Sequence, residues 1–371
     1  MLTSIDGAGL RLARLARSLS QSDLAAAAGV TRQAVAGIEA GKWDPSLKVA
    51  LALGSALGMT VEELFGPHRS QAAVPVVALE PSVSCERLGT AQVGGRTVAF
   101  PLAGSAASHW GFLAASATRV PGHRGGPGSY MATPLAPARP TLLVAGCDPA
   151  LPLLGEPLAR LDPPIGFAWW PCGSQRALKL AADGLVHAAG AHLSDGRGGY
   201  NKAAARDTVP APGAEVIGFA DWREGMSLSP SVDEGIGDLA KLAEAELPIV
   251  NREPGSEARR LLDRELGRLG VESCTLRGYG TKALGHLQVA SSVASGVVAA
   301  GIASEAAAIS FGLRFVPMAE ERYDLVVPRQ LLGSVEVQGL LRALASPWLR
   351  TQLAGLPGYG VERCGQPVDS F

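Results

Sequence analysis

Helix caps and glycines divide the first 66 residues of this 371-residue chain into short segments. Ser20 precedes a run with helical apolar spacing, and Gly29 ends that run. Thr31 precedes a second such run, and Gly41 ends it. Ser and Thr side chains accept hydrogen bonds from the free N–H groups at a helix start, whereas Gly readily adopts the left-handed conformation that ends a helix. The pattern predicts five helices, one carrying the apolar stripe Leu10, Leu12, Leu15 and Leu19, and four at residues 21–28, 32–40, 47–57 and 61–65.

The second and third of these helices meet at a short turn that contains a glycine, which is the arrangement of a helix-turn-helix. Apolar positions pack the two helices together and leave Arg32 and Gln33 on the outer face of the third helix. Arg and Gln make bidentate hydrogen bonds to base edges, and small side chains allow close approach to the major groove. Gln21 and Lys42 flank this helix at positions suited to phosphate contact. The predicted DNA-contacting residues are Gln21, Thr31, Arg32, Gln33, Ala34, Gly37 and Lys42.

The segment SQSDLAAAAGVTRQAVAGIEAGKWDPSLKVALALGSALG carries a resemblance to a known family. It resembles the Cro/repressor-type, or XRE, helix-turn-helix family, and the resemblance extends over about residues 7–66. The resemblance implies a five-helix domain that acts as a dimer on a near-palindromic operator in double-stranded DNA. The alternative is an all-helical packing module with no role on DNA.

Composition limits the class of protein. The formal net charge of −1 excludes a chain-wide basic surface, so any DNA contact must come from a local patch. The N terminus lacks the apolar core of a signal peptide, and no stretch reaches the length of about 18 apolar residues that a membrane span needs. Five cysteines without a C-x-x-C pair are typical of free thiols in a reducing compartment. We therefore expect a cytoplasmic protein.

From residue 140 onward, apolar strands alternate with helices, an order that is typical of an α/β domain. Strands are predicted at 142–145, 165–170, 185–188 and 247–250. A weak internal repeat relates residues 183–190 to residues 295–301. Two similar α/β halves indicate two lobes that face a cleft, which is where such sheets bind ligands.

Glycine-serine pairs at helix starts suggest the chemistry of that cleft. A Gly-Ser start offers free backbone N–H groups and the positive end of the helix dipole, which together bind anions. Gly173-Ser174 and Gly255-Ser256 are such starts, and Arg252 would add positive charge. The two histidines near the third strand lack further ligands at suitable spacing, so no metal site is predicted. The predicted ligand-binding residues are Gly173, Ser174, His187, His192, Asn201, Arg252, Gly255, Ser256 and Tyr279.

Four stretches of this half resemble the periplasmic-binding-protein-like domain, and more narrowly the molybdate-binding-like domain that is fused to the DNA-binding regions of regulators. They are AGCDPAL (145–151), GSQRALKLAADGLVHAAGAHL (173–193), NREPGSEARRLLD (251–263) and FVPMAEERYDLVVP (315–328). The resemblance implies a two-lobed type II binding fold that closes on a small solute. It also makes molybdate or tungstate the first choice of effector.

The predicted architecture is an all-α helix-turn-helix domain of five helices (1–66), a linker or β-rich connecting region (67–139), and an α/β two-lobed type II periplasmic-binding-protein-like domain (140–371). The connecting region is a linker, a dimerisation element or a part of the sensor. We expect a homodimeric regulator that binds operator DNA and an oxyanion effector, with no resident cofactor. Two alternatives stay open, a regulator that senses an organic metabolite or pterin-like ligand and a ligand-independent repressor. The sequence contains no Ser-His-Asp set, H-E-x-x-H motif or phosphate loop, so no enzyme is predicted.

Overall fold

The computed structural model describes residues 8–17, 19–65, 72–82, 85–104, 110–124, 128–135, 137–194 and 199–371. The chain divides into two compact units, Met1–Val74 and Pro75–Phe371. The predicted boundary at residue 66 lies outside the described residues. None of the helices in the described ranges is long and apolar enough to cross a membrane.

Five helices form the described part of the N-terminal unit, where caps and glycines predict them. They are α1 (Ala8–Ala16), α2 (Gln21–Ala28), α3 (Arg32–Glu39), α4 (Leu47–Leu57) and α5 (Val61–Phe65). The Ser20 side chain caps α2 and the Thr31 side chain caps α3, while Gly29 ends α2 with a φ of 64°. Buried side chains from all five helices form the core, including Leu10, Leu24, Val35, Leu53 and Leu64.

An ionic network joins the first three helices. The Arg14 guanidinium on α1 donates two hydrogen bonds to the Glu39 carboxylate on α3, at 2.6 and 3.0 Å. The Gln21 amide on α2 donates to the same carboxylate at 2.8 Å. Burial alone would raise the pKa of Glu39, but the hydrogen bonds from Arg14 and Gln21 outweigh it and lower that pKa. The ionised carboxylate therefore stabilises the packing of α1, α2 and α3.

A closed barrel forms the first part of the C-terminal unit. Its described strands, in the order β1-β3-β2-β4-β5, are β1 (Val74–Ala78), β2 (Arg87–Val93), β3 (Arg96–Pro101), β4 (Ala117–Arg124) and β5 (Ser129–Pro134). Gly94 and Gly95 join β2 to β3 with φ values of 55° and 79°, which fits a tight hairpin turn between right-twisted strands. Buried barrel residues such as Val98 and Phe100 share a hydrophobic core with the α/β region. The described strands between Pro75 and Pro134 thus pack as a folded part of the C-terminal unit.

The α/β region is built on a nine-stranded sheet in the described part of the chain. Its strands are β6 (Thr141–Gly146), β7 (Gly166–Pro171), β8 (Ala188–Ala191), β9 (Ala214–Leu228), β10 (Ile249–Arg252), β11 (Lys282–Ala283), β12 (Ala300–Ser304), β13 (Arg314–Pro328) and β14 (Pro367–Ser370). Its helices are α6 (Gly155–Ala159), α7 (Ser174–Ala182), α8 (Lys202–Thr208), α9 (Leu239–Glu244), α10 (Glu257–Leu269), α11 (His286–Ala294), α12 (Glu305–Ser310), α13 (Val335–Leu344) and α14 (Pro347–Ala354).

Two long antiparallel strands run through both lobes of this region. On one side β13 pairs with β8, which pairs with β6 and then β7. On the other side β9 pairs with β12, which pairs with β10 and then β11. Each side has its own hydrophobic core, one around Leu142 and Leu178 and the other around Leu261 and Leu266. This is the α/β two-lobed architecture predicted for residues 140–371.

The internal repeat is present, although one strand begins later than predicted. The helices α7 and α11 are each followed by a left-handed glycine, Gly184 (φ 64°) and Gly296 (φ 72°), and then by a strand. The predicted strand at 185–188 is wrong in position, because β8 begins at Ala188. The Leu185 N–H is hydrogen-bonded to the carbonyl of Leu180, so this part of the chain still closes the end of the helix.

Candidate functional site

The first turn of α3 presents polar side chains to the surface of the N-terminal unit. Arg32, Gln33, Thr31 and Lys42 are exposed, and Ala34 is half-buried. The Thr31 hydroxyl accepts the N–H of Ala34 at 3.1 Å and so acts as a helix cap. Residues at the start of the second helix of a helix-turn-helix are those that reach base edges.

Gly37 does not lie open on this surface, which corrects the sequence-based expectation. It is buried, and the indole of Trp43 lies against it so closely that a Cβ would collide with the ring. The glycine therefore makes room for Trp43 and not for a DNA groove. Gln21, predicted to contact phosphate, already uses its amide to bind Glu39.

A cavity of about 570 Å³ lies in the C-terminal unit between the two lobes and the barrel. The first lobe contributes lining residues between 147 and 176, and the second lobe contributes residues 252–255 and 284–287. Barrel residues at positions 80, 82, 103 and 104 complete the wall. Gly173, Arg252 and Gly255, three of the predicted ligand-binding residues, line this cavity.

Two nine-residue helices begin at the cavity with glycine in the capping position. Gly173 precedes α7 and Gly285 precedes α11, and neither helix start has a side-chain cap. The same offset of 112 residues relates Gly173 to Gly285 and Gly184 to Gly296. Gly285 is therefore the repeat partner of Gly173, which corrects the expected pairing with Gly255. The free N–H groups and positive dipole ends of these two helices belong to opposite lobes.

A carboxylate of the protein lies between these two helix starts. The Glu253 oxygens accept hydrogen bonds from Nε and Nη2 of Arg252, at 2.8 and 2.9 Å. The backbone N–H of Gly285 also donates to Glu253, and a Cβ placed on Gly173 would lie 3.2 Å from its Oε1. Burial alone would raise the pKa of Glu253, but Arg252 and these hydrogen bonds outweigh it and lower that pKa. This position therefore binds a negative charge.

Arg252 retains one unused donor in this cavity. The side chain is 1% exposed, and its Nη1 has no hydrogen-bond partner among the described residues. A buried guanidinium N–H without a partner is costly, which marks this atom as a contact for an anionic or carbonyl oxygen.

The two predicted serines use their hydroxyls inside the protein. The Ser174 hydroxyl accepts the N–H of His192 at 3.2 Å. The Ser256 hydroxyl caps α10 and donates to the carbonyl of Glu253 at 2.9 Å. Both serines are at most 1% exposed, and neither lines the cavity. The expectation that they form a two-helix anion cradle is corrected by this placement.

Three more predicted residues lie away from the cavity. The His187 Nδ1 accepts a backbone N–H of β6 at 3.0 Å, and this ring also faces Glu336 at 3.9 Å. The Asn201 amide accepts a backbone N–H at 2.6 Å and donates to the Asp324 carboxylate at 2.8 Å. The Tyr279 hydroxyl donates to a carboxylate of α10 at 2.6 Å. Each of these side chains supports the fold, so the expected ligand contact is corrected for all three.

A cluster of sulfur and nitrogen atoms lies beside the cavity. Cys147, His192 and His286 are each at most 3% exposed, and one ligand atom from each lies within 4.8 Å of the others. Cys147 and His286 line the cavity, whereas His192 does not. His286 is not among the ligand-binding residues predicted from the sequence, although the offset of 112 residues relates it to Ser174.

Two buried glutamates surround this cluster. Burial raises the pKa of Glu224 to about 7, and the charge of Glu321 adds to the effect. Burial alone would lower the pKa of His192, but Cys147 and Glu321 outweigh it and raise that pKa well above 6.5. Burial lowers the pKa of His286, and the charge of Arg252 lowers it further. The cluster thus consists of groups that can bind protons or metal ions, and burial and neighbouring charges shift the pKa values of its histidines and of Glu224.

Family models match both units of the chain. A helix-turn-helix model covers residues 10–64, and a model of the PBP superfamily domain covers residues 155–345, which is more than half of the chain. The chain belongs to the PBP superfamily. It joins the DNA-binding domain of an XRE-type transcription regulator to a ligand-binding domain of the PBP superfamily.

Individual relatives match each part. The uncharacterized protein YvgK of Bacillus subtilis (strain 168) is 30% identical over 234 residues, which are 62% of this chain and 74% of YvgK. The HTH-type transcriptional regulator MJ0272 of Methanocaldococcus jannaschii is 43% identical over 56 residues, 15% of this chain and 85% of that protein. Among solved structures, the chain is similar to a putative phosphate ABC transporter substrate-binding protein of Clostridium perfringens with bound phosphate. The two are 13% identical with a TM-score of 0.46, and the match covers 58% of this chain and 96% of that chain.

Proposed function

We propose that this PBP superfamily regulator is a cytoplasmic homodimer that binds operator DNA through α3 and a small oxyanion in the cavity of its C-terminal unit. Molybdate or tungstate is the favoured effector, and effector binding changes the affinity for the operator. The residues Arg32 and Gln33 read base edges, and Lys42 contacts phosphate. The protein acts by binding and not by catalysis.

The position of the Glu253 carboxylate carries the anion assignment. It lies against an arginine and two helix starts, which are the groups that bind oxyanions in proteins. An oxyanion that displaces this carboxylate gains the same donors, together with Nη1 of Arg252. Because the helix starts at Gly173 and Gly285 belong to different lobes, a bound oxyanion favours the closed arrangement of the two lobes.

A second candidate effector is an organic acid of metabolite or pterin-like size. The cavity volume of about 570 Å³ falls within the range of about 300–1,000 Å³ that is typical of sites for organic ligands. Two tryptophans, Trp169 and Trp170, line one wall and supply the apolar surface that such a ligand needs. In this case Arg252 and the helix starts bind the carboxylate of the ligand.

Thermal unfolding of the full chain against a ligand panel tests the proposal. The panel contains molybdate, tungstate, sulfate, phosphate and several organic acids. A ligand that binds only the folded state, at a free concentration 100 times its Kd, raises the free energy of unfolding by about 2.7 kcal/mol. This increase is visible as a rise in Tm. We expect a rise with molybdate and tungstate that Arg252→Met abolishes. The control Arg176→Met removes another cavity arginine and keeps the rise.

A rise with organic acids alone would select the second candidate. If no member of the panel raises Tm, the assignment of an anionic effector is contradicted. The proposal that α3 binds DNA does not depend on this result.

A further inference from the structure

Three buried side chains with metal-binding atoms meet where the two lobes join. Cys147 follows β6, His192 follows β8 and His286 begins α11. One ligand atom from each lies within 4.8 Å of the other two. Ligand atoms around a tetrahedral ion at about 2.0–2.3 Å are about 3.5 Å apart, so shifts of about 1 Å close the set. A thiolate and two imidazoles are ligands that zinc-class ions prefer.

Each histidine ring has a carboxylate on one side. The Nδ1 of His192 lies 3.9 Å from Oε2 of Glu321, and the Nδ1 of His286 lies 3.7 Å from Oε1 of Glu224. A histidine that binds a metal usually donates its other ring N–H to a carboxylate, which fixes the tautomer and the ring orientation. Neither pair is hydrogen-bonded at these distances, so binding of an ion through the Nε2 atoms requires each ring to turn its Nδ1–H toward its carboxylate. The Nε2 of His286 has no hydrogen-bond partner among the described residues.

The charge around the cluster favours a cation. Both oxygens of Glu224 and one oxygen of Glu321 are buried and lack hydrogen-bond partners within the described ranges. Burying carboxylates without partners is costly unless a positive charge compensates them. His192 and, more weakly, Arg252 act electrostatically on Glu224, and the guanidinium of Arg252 is paired with Glu253 at 2.8 Å. A divalent ion at the cluster places further positive charge beside these buried carboxylates, whereas an anion there would add to their negative charge.

One hydrogen bond decides which tautomer of His286 can bind an ion. The backbone N–H of Ser304 donates to Nδ1 of His286 at 3.2 Å, which leaves the ring proton on Nε2 in this structure. Binding of an ion at Nε2 therefore replaces this hydrogen bond with one from Nδ1–H to Glu224. Metal binding through Nε2 requires the proton on Nδ1, and Glu224 is the acceptor that stabilises this form. Glu224 is therefore a positioning residue for the metal ligand.

We propose that Cys147, His192 and His286 bind one zinc-class divalent ion, with Glu321 and Glu224 orienting the two rings. Cys147 and His286 line the cavity, so the fourth coordination position faces the space where a small ligand binds. The proposal rests on the geometry of the cluster and does not depend on the identity of the effector.

Cobalt titration of the full chain tests this site. The purified protein is stripped with a chelator and titrated with Co²⁺, and the absorption spectrum is recorded before and after competition with Zn²⁺. We expect saturation at one equivalent with a thiolate-to-cobalt charge-transfer band, which Zn²⁺ then removes. If the folded wild-type chain does not bind one equivalent of Co²⁺ saturably, the proposal is overturned, and no variant is needed for this result.

Matched variants separate this site from the other cysteine of the cavity. Cys147→Ser should abolish the charge-transfer band, whereas Cys172→Ser, which changes a second cavity thiol, should keep it. Glu224→Gln should weaken Zn²⁺ binding by about 10–100-fold, and the exposed control Glu320→Gln should leave it unchanged. A band that persists in Cys147→Ser and disappears in Cys172→Ser would assign the metal to a different site.

A labelling measurement covers the case in which Cys147→Ser does not fold. Zn²⁺ should slow the alkylation of Cys147 in the wild-type chain, as mapped by peptide mass spectrometry, and should leave the exposed Cys274 unaffected. Equal labelling of Cys147 with and without Zn²⁺ would overturn the proposal.

Discussion

Glu253 occupies the place that an anionic effector needs, because its carboxylate takes two donors of Arg252 and the N–H of Gly285. The variant Glu253→Gln removes this negative charge and keeps the size of the side chain. We predict that it raises the affinity for molybdate about tenfold, since the oxyanion no longer displaces a charge-assisted hydrogen bond worth about 1.5 kcal/mol. Isothermal titration of the wild type and the variant measures the difference.

The matched control for this prediction is Glu80→Gln. It removes one negative charge from the same cavity wall, but the Glu80 carboxylate faces Arg176 at 3.6 Å and not Arg252. We expect a much smaller gain in affinity from this control. A decrease in molybdate affinity in Glu253→Gln would show that Glu253 is not a stand-in for the effector.

Gln33 is the exposed residue of α3 best suited to reading a base. We predict that Gln33→Ala weakens operator binding by about 1–3 kcal/mol and relaxes the sequence preference at one position. Lys42→Ala is the comparison, because loss of a phosphate contact should weaken specific and non-specific binding alike and reduce the salt slope by about one. Binding titrations at several salt concentrations measure both effects, and an unchanged preference in Gln33→Ala would remove this residue from the readout.

Sequence reasoning about single residues succeeded where one local property decides the outcome. Gly173 lies at the start of a predicted helix and Arg252 at the end of a predicted strand, and both line the cavity. Helix starts and strand ends are the positions that face the cleft in such sheets. Ser174 and Asn201 were chosen for their hydrogen-bonding capacity, but partners distant in sequence already use that capacity. The sequence contains no local sign of such internal pairing.

At the scale of elements, the network of Arg14, Gln21 and Glu39 determines how firmly the first three helices hold together. The pKa of Glu39 is lowered in the folded protein, so its contribution to stability is present above the ordinary glutamate pKa of about 4.3. The contribution is lost as the pH falls through the folded-state pKa. We predict that Glu39→Gln destabilises this unit by about 2 kcal/mol at neutral pH, and that the difference from the wild type shrinks on acidification.

Hydrogen exchange of the amides of α1 to α3 measures this effect in the full chain at neutral and at acid pH. The control Glu62→Gln changes an exposed glutamate of α5 and should have no effect on these amides. Equal protection of these helices in Glu39→Gln and the wild type at neutral pH would contradict the role of the network.

The helices of the N-terminal unit were predictable because short-range capping decides where they begin and end. Ser20, Gly29 and Thr31 act in the structure as their residue types predict. The strand β8 begins three residues later than predicted, because Leu185 and Val186 are as apolar as strand residues although they lie in the connection after α7. Gly285 was not predictable from the repeat at residues 183–190 and 295–301, because that similarity begins only at the helix ends.

At the scale of the whole molecule, the sequence predicts two α/β lobes but not what they bring together. Cys147, His192 and His286 are separated by many residues along the chain, and they meet only after β6, β8 and α11 take their places around the sheet. The barrel was equally hidden, because its short strands give no sign that they close on themselves and pack against the first lobe. Contacts of this kind depend on the complete topology.

Operator binding with and without effector shows whether the two units are coupled. The affinity of the full chain for an operator selected from random duplexes is determined at fixed salt, with and without saturating molybdate. We expect molybdate to change the operator affinity by at least about fivefold, the lower range of allosteric coupling, and we expect Arg252→Met to abolish this change. Linkage requires the operator to change the molybdate affinity by the same factor. Equal operator affinity with and without molybdate, in a chain that binds both, would show that effector binding is not coupled to operator binding.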